Sequence, residues 1–491
     1  MAEGTAEPCV AVVGAGPAGL AAALAAAARG VRVLLIDSGA EPGGQFYRQA
    51  APALRASRPE RLHHQWRTWE RLRDGLAAHQ AAGRITHLSE RHVWSVERQP
   101  YGHGGFVVHV LLGPAQEESE TVRADAVLLA TGGYERVLPF PGWTLPGVVT
   151  AGGAQAMLKG GLVLPGRRVV VAGTGPLLLP VATGLAAAGA EVAALVESAA
   201  PGAFVRHARA LVAEPAKLVE GAGFAARLAR HRIRPMSDHV VVAAHGDQRV
   251  DSVTVAALDG EGRERPGSRR RIVCDALAVG HGMLPHTDLA DALGCGLAGT
   301  AVHVDDEQRT DVPGVWAAGE ATGVGGAALA LAEGHIAGRS VAARLRGGVP
   351  DPRAWAPAAR VRGRLRRFSA TLDAVYAPPA GWPELVTDET VVCRCEEVTA
   401  GAVREAVGVL GAGDLRTVKL LTRAGMGWCQ GRMCGPGVAG VAGCEPEPAR
   451  RVPARPVPLG VLAEDVTRPA PAESPGSRRP PESPRTPGEP P

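Results

Sequence analysis

Lysine is nearly absent from these 491 residues. It occurs only at Lys159, Lys217 and Lys419, against 53 basic residues in all. Aromatic residues are sparse too, at 4%. The formal net charge of +4 is small for the length. It argues against a nucleic-acid partner, which would require a dense basic face. The opening residues, MAEGTAEPC, lack the basic and apolar regions of a signal peptide. Two uncharged apolar runs, Val10–Ala28 and Val169–Ala190, are long enough to raise the question of a membrane span. Each breaks at a glycine turn and continues in weakly hydrophobic, Ala-rich sequence, and the second holds Pro176 and Pro180. No transmembrane segment is therefore expected. The hydrophobic content of 46% excludes global disorder.

Eight cysteines are present: Cys9, Cys274, Cys295, Cys393, Cys395, Cys429, Cys434 and Cys444. Four of them form two close pairs near the C-terminus. In a long chain without a leader, that pattern favours a cytoplasmic metal or cluster site over a disulfide framework. A length of 491 residues suggests about three domains.

The chain opens as a βαβ unit. Cys9–Val13 reads as a buried strand, Pro17–Arg29 as a helix and Val31–Ile36 as the next strand. Between the first two lies Gly14-Ala-Gly16-Pro-Ala-Gly19. Gly14 permits the tight turn, Gly16 lets backbone N–H groups approach a pyrophosphate, and Gly19 lets the helix sit close to the sheet. Asp37 ends the second strand, where a carboxylate can accept hydrogen bonds from a ribose. A second βαβ unit spans Arg168–Val196, with Gly173-Thr-Gly175-Pro-Leu-Leu178 and Glu197 in the matching places. There Leu178 stands at the third glycine position, where it should hold the helix away from the strand and crowd a pyrophosphate. The acid favours NADH over NADPH if a nucleotide binds at all. The other reading is an inherited fold without its nucleotide.

Gly152–Gly161 reads as a short helix, residues 60–95 as mostly helical and Ala327–Leu345 as a helix. Arg346–Thr390 reads as a linker with helical pieces. Within it the run Arg360-Val-Arg-Gly-Arg-Leu-Arg-Arg367 is a solvated helix face or a dock for an acidic partner. Beyond Glu445 the sequence is rich in Pro, Arg, Ser and Glu, and is expected to be disordered.

Cys393-Arg-Cys395 is followed by Cys429 and Cys434, within CRCEEVT and KLLTRAGMGWCQGRMCGP. Four thiolates match the ligand count of a [2Fe–2S] cluster, and zinc is the competing metal. Thr399 is placed to cap a helix from Ala400 to Leu410. Lys419 and Arg423 are either positive charges near the cluster or a solvated helix face.

Three further segments sharpen the first unit: Pro42-Gly43-Gly44-Gln45, Ala130-Thr131-Gly132 and Val315-Trp-Ala-Ala-Gly319-Glu320. With the glycine turn they resemble the two-dinucleotide-binding flavoprotein family. That resemblance implies FAD along the first domain, held at Gly14, Gly16, Gly19, Asp37, Gly44, Gln45, Thr131, Gly132, Gly319 and Glu320. Glu320 replaces the aspartate that binds the ribityl chain in the family. The second unit is similar to the inserted NAD(P)H domain, with Gly173, Gly175 and Glu197 as its nucleotide residues. The paired cysteines of the family's disulfide reductases are missing: none directly follows Gly44, none is paired within residues 165–285, and Cys274 and Cys295 are single.

The Cys module resembles the bacterioferritin-associated ferredoxin-like domain. The whole arrangement over residues 8–440 resembles the larger flavoprotein subunit of heteromeric bacterial amine and amino-acid dehydrogenases. This is the family of opine oxidase A, hydrogen cyanide synthase B and D-hydroxyproline dehydrogenase subunits. The implied architecture is α/β, with two Rossmann-like FAD/NAD(P)-binding domains, the second inserted in the first, then a small helical [2Fe–2S] module and a disordered tail. The expected divisions are 1–150 and 286–346 for the FAD domain, 151–285 for the insert, 347–390 for the linker, 391–444 for the module and 445–491 for the tail. The resemblance also implies partners: a flavoprotein subunit of the D-amino-acid-oxidase type, a small ferredoxin-like subunit, and a quinone or cytochrome acceptor. Location would be cytoplasmic, either free or peripheral at the inner membrane face. No residue stands out as a substrate base; His281 and His286, flanking Gly282–Pro285, are the candidates. An NAD(P)H-dependent ferredoxin or rubredoxin reductase, and an electron-transfer subunit without turnover of its own, are the alternatives.

Overall fold

A computed structural model describes residues 7–99, 105–207, 214–445 and 453–467. Two parallel five-stranded sheets dominate it. In the first, strands run in the order Val315–Ala317, Ala126–Leu129, Cys9–Val13, Arg32–Ile36 and Ile85–Leu88. In the second the order is Pro235–Ser237, Glu191–Glu197, Arg168–Gly173, Ala276–Gly280 and Val148–Thr150. Central strands such as Cys9–Val13 are buried along their whole length, as a parallel sheet covered on both faces requires. In each unit a three-stranded antiparallel sheet follows the edge strand of the parallel sheet, Ile85–Leu88 in the first and Pro235–Ser237 in the second. The antiparallel strands are Arg91–Arg98, Phe106–Leu112 and Glu118–Ala124 in the first, and His239–His245, Ser252–Ala257 and Arg270–Val273 in the second. The internal repeat is thus a whole domain. Two short crossover strands, Gly133–Glu135 and Met283–Pro285, pair antiparallel and join the units. Val148–Thr150 already belongs to the second sheet, so the structural boundary precedes residue 148 rather than following 150.

The helix Pro17–Ala27 packs against the long helix Gly326–Leu345 at near backbone contact. A Cβ on Gly334 would lie 2.1 Å from the Ala18 carbonyl oxygen, and one on Gly338 would lie 2.3 Å from that of Ala22. This contact brings the late part of the chain back over the first glycine turn. Residues 60–95, expected as mostly helical, instead hold the helix Trp66–Ala81 and the strands Ile85–Leu88 and Arg91–Arg98. Ile85, Trp94 and Val96 bury their side chains in sheet cores, which overrides local helix preference.

The linker is built more tightly than its composition implies. The helix Ala356–Val375 lies on Gly326–Leu345. Three of its five arginines are paired, Arg362 with Asp306, Arg364 with Glu214 and Arg366 with Glu333, each at 2.6 Å. The Arg360–Arg367 run therefore fastens the linker to the body instead of standing free.

In the Cys module, strands Val391–Cys393 and Val398–Thr399 precede helices Ala400–Gly408, Leu415–Thr422 and Gly435–Ala442. Thr399 does cap the first of these, accepting from the Ala402 N–H at 3.3 Å, although the helix ends two residues before Leu410. Val392, Val398, Val403, Val418 and Val438 form a small core. The module is also docked on the body. The Trp143 indole donates to the Val391 carbonyl at 2.6 Å, and a Cβ on Gly437 would meet Pro139 at 2.7 Å.

The tail departs from expectation where it is described. Ala454 donates to the Trp94 carbonyl at 2.9 Å, and Val461 is buried with Trp94 and Leu111. A helix spans Leu459–Thr467. Val457 and Leu462 pack on the same cluster, and Arg455 donates to the Gln116 side chain at 2.7 Å, so the segment is held despite its Pro-rich surroundings. Residues 446–452 and 468–491 lie outside the described residues.

Candidate functional site: two glycine cradles and a cysteine cluster

The first cradle is open. Gly14 takes φ +105°, and a Cβ there would lie 2.3 Å from the Ala130 carbonyl oxygen. A Cβ on Gly19 would lie 1.7 Å from the Gly14 oxygen, so this helix sits against the turn as only glycine allows. Gly16 differs: a Cβ there would meet nothing nearer than the Gly44 Cα at 3.9 Å. The Pro17–Ala27 helix starts at Gly16 with no side-chain cap. Asp37 closes the second strand, with Oδ1 accepting from Gly39 N–H at 3.3 Å and Oδ2 buried without a partner. Burial raises its pKa, opposed by the N–H groups of Gly39, Ala15 and Ser38. An open glycine turn at an uncapped helix start, beside a partnerless buried carboxylate oxygen, fits a dinucleotide's pyrophosphate and ribose.

The remaining expected residues surround this cradle. Gly44 takes φ +60°, with its Cβ position 2.7 Å from the Gly16 Cα, so the loop closes on the turn. Gln45 is exposed, and its amide oxygen is engaged by Arg48 at 2.6 Å. The Thr131 hydroxyl donates to the His286 carbonyl at 2.6 Å, and Gly132 accepts from the His286 N–H at 3.0 Å. Gly319 takes φ +77° and packs on Ala18. Burial raises the Glu320 carboxyl, opposed by the Gly326 N–H. Behind this turn stands Glu333, with 0% exposure. It accepts from the Gly319 N–H and the Thr322 hydroxyl, each at 3.0 Å, and pairs with Arg366. Glu333 and Arg366 were not read from the sequence as site residues. They brace Gly319–Thr322, and a Glu in an Ala- and Gly-rich helix is the signal that could have found them.

The second cradle is closed by its own acid. Gly173 repeats Gly14, with φ +130° and its Cβ position 1.7 Å from the Gly280 oxygen. Glu197 Oε2, however, accepts from the Gly175 N–H at 3.1 Å, and Oε1 accepts from the Ala199 N–H at 2.9 Å. Gly175 is the counterpart of Gly16, so the donor for a pyrophosphate is already engaged. Glu has one methylene more than Asp; that is the reach by which Glu197 touches the second glycine while Asp37 stops at Ala15. Burial pushes Glu197 up to about 7. Tyr376, from the linker, lies beside it and is pushed up to about 12 by burial and then by the Glu197 charge. Leu178 does not crowd the turn as expected. It is 1% exposed and packs into the apolar core between helix and sheet.

Cys393, Cys395, Cys429 and Cys434 come together. The Cys434 thiol is the largest influence on Cys429 and lowers it, against burial; Met433 and Gly431 N–H groups and the Cys395 thiol act in the same direction. The Cys393 sulfur, which also acts on the Cys434 thiol, accepts from the Gly425 N–H at 3.5 Å. A Cβ on Gly427 would lie 2.1 Å from the Cys395 Cβ, so the two cysteine loops close only over glycine. The thiols act on one another across the two loops and some are served by backbone N–H groups, which suits a cluster whose potential such bonds tune, although among the described residues no three His, Cys, Asp or Glu side chains stand at metal-holding spacing. Cys9, Cys274 and Cys295 are buried and separate, which leaves no thiol pair by either cradle.

Two family models match the chain: pyridine nucleotide-disulphide oxidoreductase over residues 8–340, and the BFD-like [2Fe-2S] binding domain over residues 391–441. The chain belongs to the pyridine nucleotide-disulphide oxidoreductase family. It is 36% identical over 439 residues to hydrogen cyanide synthase subunit HcnB of Pseudomonas aeruginosa, covering 86% of this chain and 90% of that one. It is 34% identical over 476 residues to the opine oxidase A subunit of Agrobacterium tumefaciens, covering 92% and 90%. The chain belongs to their family as well. A crystal structure of L-proline dehydrogenase from P. horikoshii has the same fold, with TM-score 0.62, 20% identity, and 93% and 80% coverage. The protein is an FAD- and [2Fe–2S]-containing oxidoreductase. The disulphide chemistry in the family's title lacks its thiol pair here.

In this family member the cluster loop is tied to the flavin half. Arg432, between Cys429 and Cys434, grips Asp288 with two hydrogen bonds of 3.0 and 3.2 Å. Asp288 Oδ2 lies 3.1 Å from His286 Nε2. Burial pushes Asp288 up, but His286 and Arg432 outweigh it and hold the carboxyl below its ordinary value. His286 thus links the cluster loop to Thr131. His281, the other candidate, is buried and faces a different space. Arg423 pairs with Glu396 at 2.8 Å, which neutralises the charge expected near the cluster, and Lys419 is half-buried on the same helix. No helix among the described residues is long and apolar enough to cross a membrane.

Proposed function

We propose that this chain is the larger flavoprotein subunit of a heteromeric dehydrogenase acting on an amine or amino acid of the opine, glycine or D-hydroxyproline type. It delivers the electrons to an external acceptor, a quinone or a cytochrome. Its partners are a flavoprotein subunit of the D-amino-acid-oxidase type, which carries the substrate site, and a small ferredoxin-like subunit; the complex is cytoplasmic. The carrying observation is the Arg432–Asp288–His286–Thr131 connection, which fixes the cysteine loop against the open cradle. FAD takes two electrons from an oxidised C–N bond and can release them singly, as a one-electron cluster requires. In this reading Gly14, Gly16 and Gly19 form the pyrophosphate cradle and Asp37 takes the ribose. Gly44, Gln45, Thr131, Gly132, Gly319 and Glu320 line the rest of the cofactor, with Glu333 and Arg366 positioning the Gly319 turn. Cys393, Cys395, Cys429 and Cys434 ligate the cluster. Glu197 on the Gly175 N–H speaks against the NAD(P)H-reductase alternative.

Cys429→Ser tests this reading in the reconstituted complex by stopped-flow absorbance and electron paramagnetic resonance. The expected result is loss of the cluster signal, retention of FAD, bleaching of flavin by substrate, and a sharp fall in transfer to the acceptor. An unchanged acceptor rate would make the cluster structural. Substrate turnover by the isolated chain would remove the need for the partner, and none at all with the partner present would favour a pure electron carrier.

A further inference from the structure

A cavity of about 270 Å³ lies beside the crossover strands, and no residue of either glycine cradle lines it. It opens where three parts of the chain meet. Arg136 and Phe140 come from the segment entering the second domain, His281 from the return crossover, and Arg394 and Met433 from the cluster loops, with Trp143 between them. Most of the wall is apolar. The exceptions share one character: they can donate to an anion.

His281 is 8% exposed and its Nδ1 is buried without a partner. Burial, and then the Arg136 charge, push it down to about 4, so it is a neutral imidazole. Arg136 is partly desolvated, with Asp373 and Tyr134 as its favourable neighbours. Among the described residues it makes no ion pair, which leaves a guanidinium in a confined space without a contacting counter-charge. Arg394 extends from between Cys393 and Cys395 and lies 5.5 Å from the centre of the Trp143 ring. A guanidinium stacked on indole keeps its edge donors free for a carboxylate.

We propose that this cavity binds a small carboxylate with an apolar or aromatic body. The carboxylate pairs with Arg136 and Arg394 and takes a hydrogen bond from His281, and the body rests on Phe140, Trp143 and Met433. The volume lies near the lower end of small-molecule pockets, so it suits a molecule of benzoate size and excludes a nucleotide. Arg394 and Met433 adjoin the ligand cysteines, so a bound anion also changes the electrostatic surroundings of the cluster.

The test is calorimetric titration of the full-length holoprotein with benzoate, and with benzamide as the uncharged control. Benzoate should bind, and benzamide should bind at least about tenfold more weakly. Arg136→Gln and Arg394→Gln should each weaken benzoate about tenfold, the loss of one charge-assisted pair. Val148→Phe, which fills the cavity from its strand wall, should abolish binding. Benzoate should also alter the electron paramagnetic resonance line of the reduced cluster. If Arg136→Gln does not fold, the exposed Arg394 supplies the deciding variant. Absence of benzoate binding at about 10 mM, equal binding of benzamide, or unchanged affinity in Arg394→Gln would each overturn the proposal.

Discussion

The two dinucleotide folds of this chain share a sheet order, a glycine turn, an acid at the end of the second strand and an antiparallel addition, yet in only one of them does the acid take the N–H of the second glycine. The difference is about the size of one methylene. Space does not separate them, since a Cβ on Gly175 would meet nothing within 4 Å and one on Gly16 only the Gly44 Cα at 3.9 Å. Asp37 leaves Oδ2 without a partner. Glu197 reaches Gly175 and takes its N–H. A duplicated fold can therefore retain every backbone feature of a nucleotide site and still satisfy its donors internally. What distinguishes them is where the carboxylate oxygens go, which motif spacing does not report.

The comparison can be broken most violently at the third glycine position. Gly19→Leu copies Leu178 into the open cradle, where even a Cβ would sit 1.7 Å from the Gly14 oxygen. The strain should exceed the roughly 1–3 kcal/mol typical of overpacking, and soluble yield and flavin should both collapse. The converse change, Leu178→Gly, should not restore a nucleotide site. It removes a buried side chain and should cost about 2–5 kcal/mol, read as a fall in melting temperature. A Gly19→Leu protein with normal flavin and melting would show that the helix contact is not needed.

A gentler exchange tests the methylene. Asp37→Glu should let the carboxylate reach toward Gly16 and weaken FAD binding about tenfold, the scale of one charge-assisted hydrogen bond. Flavin fluorescence released on dilution measures it, and undiminished affinity would contradict the role given to side-chain length.

The closed cradle should show itself in pH dependence. The Glu197 pKa is raised from 4.5 to about 7 in the folded chain, so the native state holds the proton more tightly than the unfolded chain. Its contribution is present in full below pH 4.5 and is lost as pH rises to about 7, by about 3 kcal/mol at 1.36 kcal/mol per unit. Glu197→Gln should flatten this slope relative to the unsubstituted chain, as read by denaturant unfolding between those limits. Parallel curves would place the proton elsewhere. The smallest effect expected is at Arg423→Gln, remote from both cradles. An exposed ion pair with Glu396 should be worth no more than about 1 kcal/mol, and the flavin spectrum should not change.

Local features were legible in the sequence wherever a few neighbouring residues decide them: the Gly14 turn, the Thr399 cap and the gathering of four cysteines. Pairings between distant parts were not. Glu333 with Arg366, and Arg432 with Asp288, join residues that nothing in local spacing connects, and each looks like an ordinary surface charge until the chain folds. Leu178 misled for the opposite reason. A large residue in place of glycine reads as a block to the ligand, but the helix accommodates it by turning the side chain into the core. Within the tail, residues 453–467 depart from the expectation because composition is averaged over residues 445–491, whereas Ala454 and Val461 dock individually.

Acid-released flavin per chain most directly tests the claim of one open and one closed cradle. Gly16 has φ −74° and open space at its Cβ, so Gly16→Val should fold while filling the place of the pyrophosphate. The account predicts about one FAD per chain in the unsubstituted protein and in Glu197→Gln, and almost none in Gly16→Val. Full FAD in Gly16→Val, or flavin lost from Glu197→Gln alone, would contradict it.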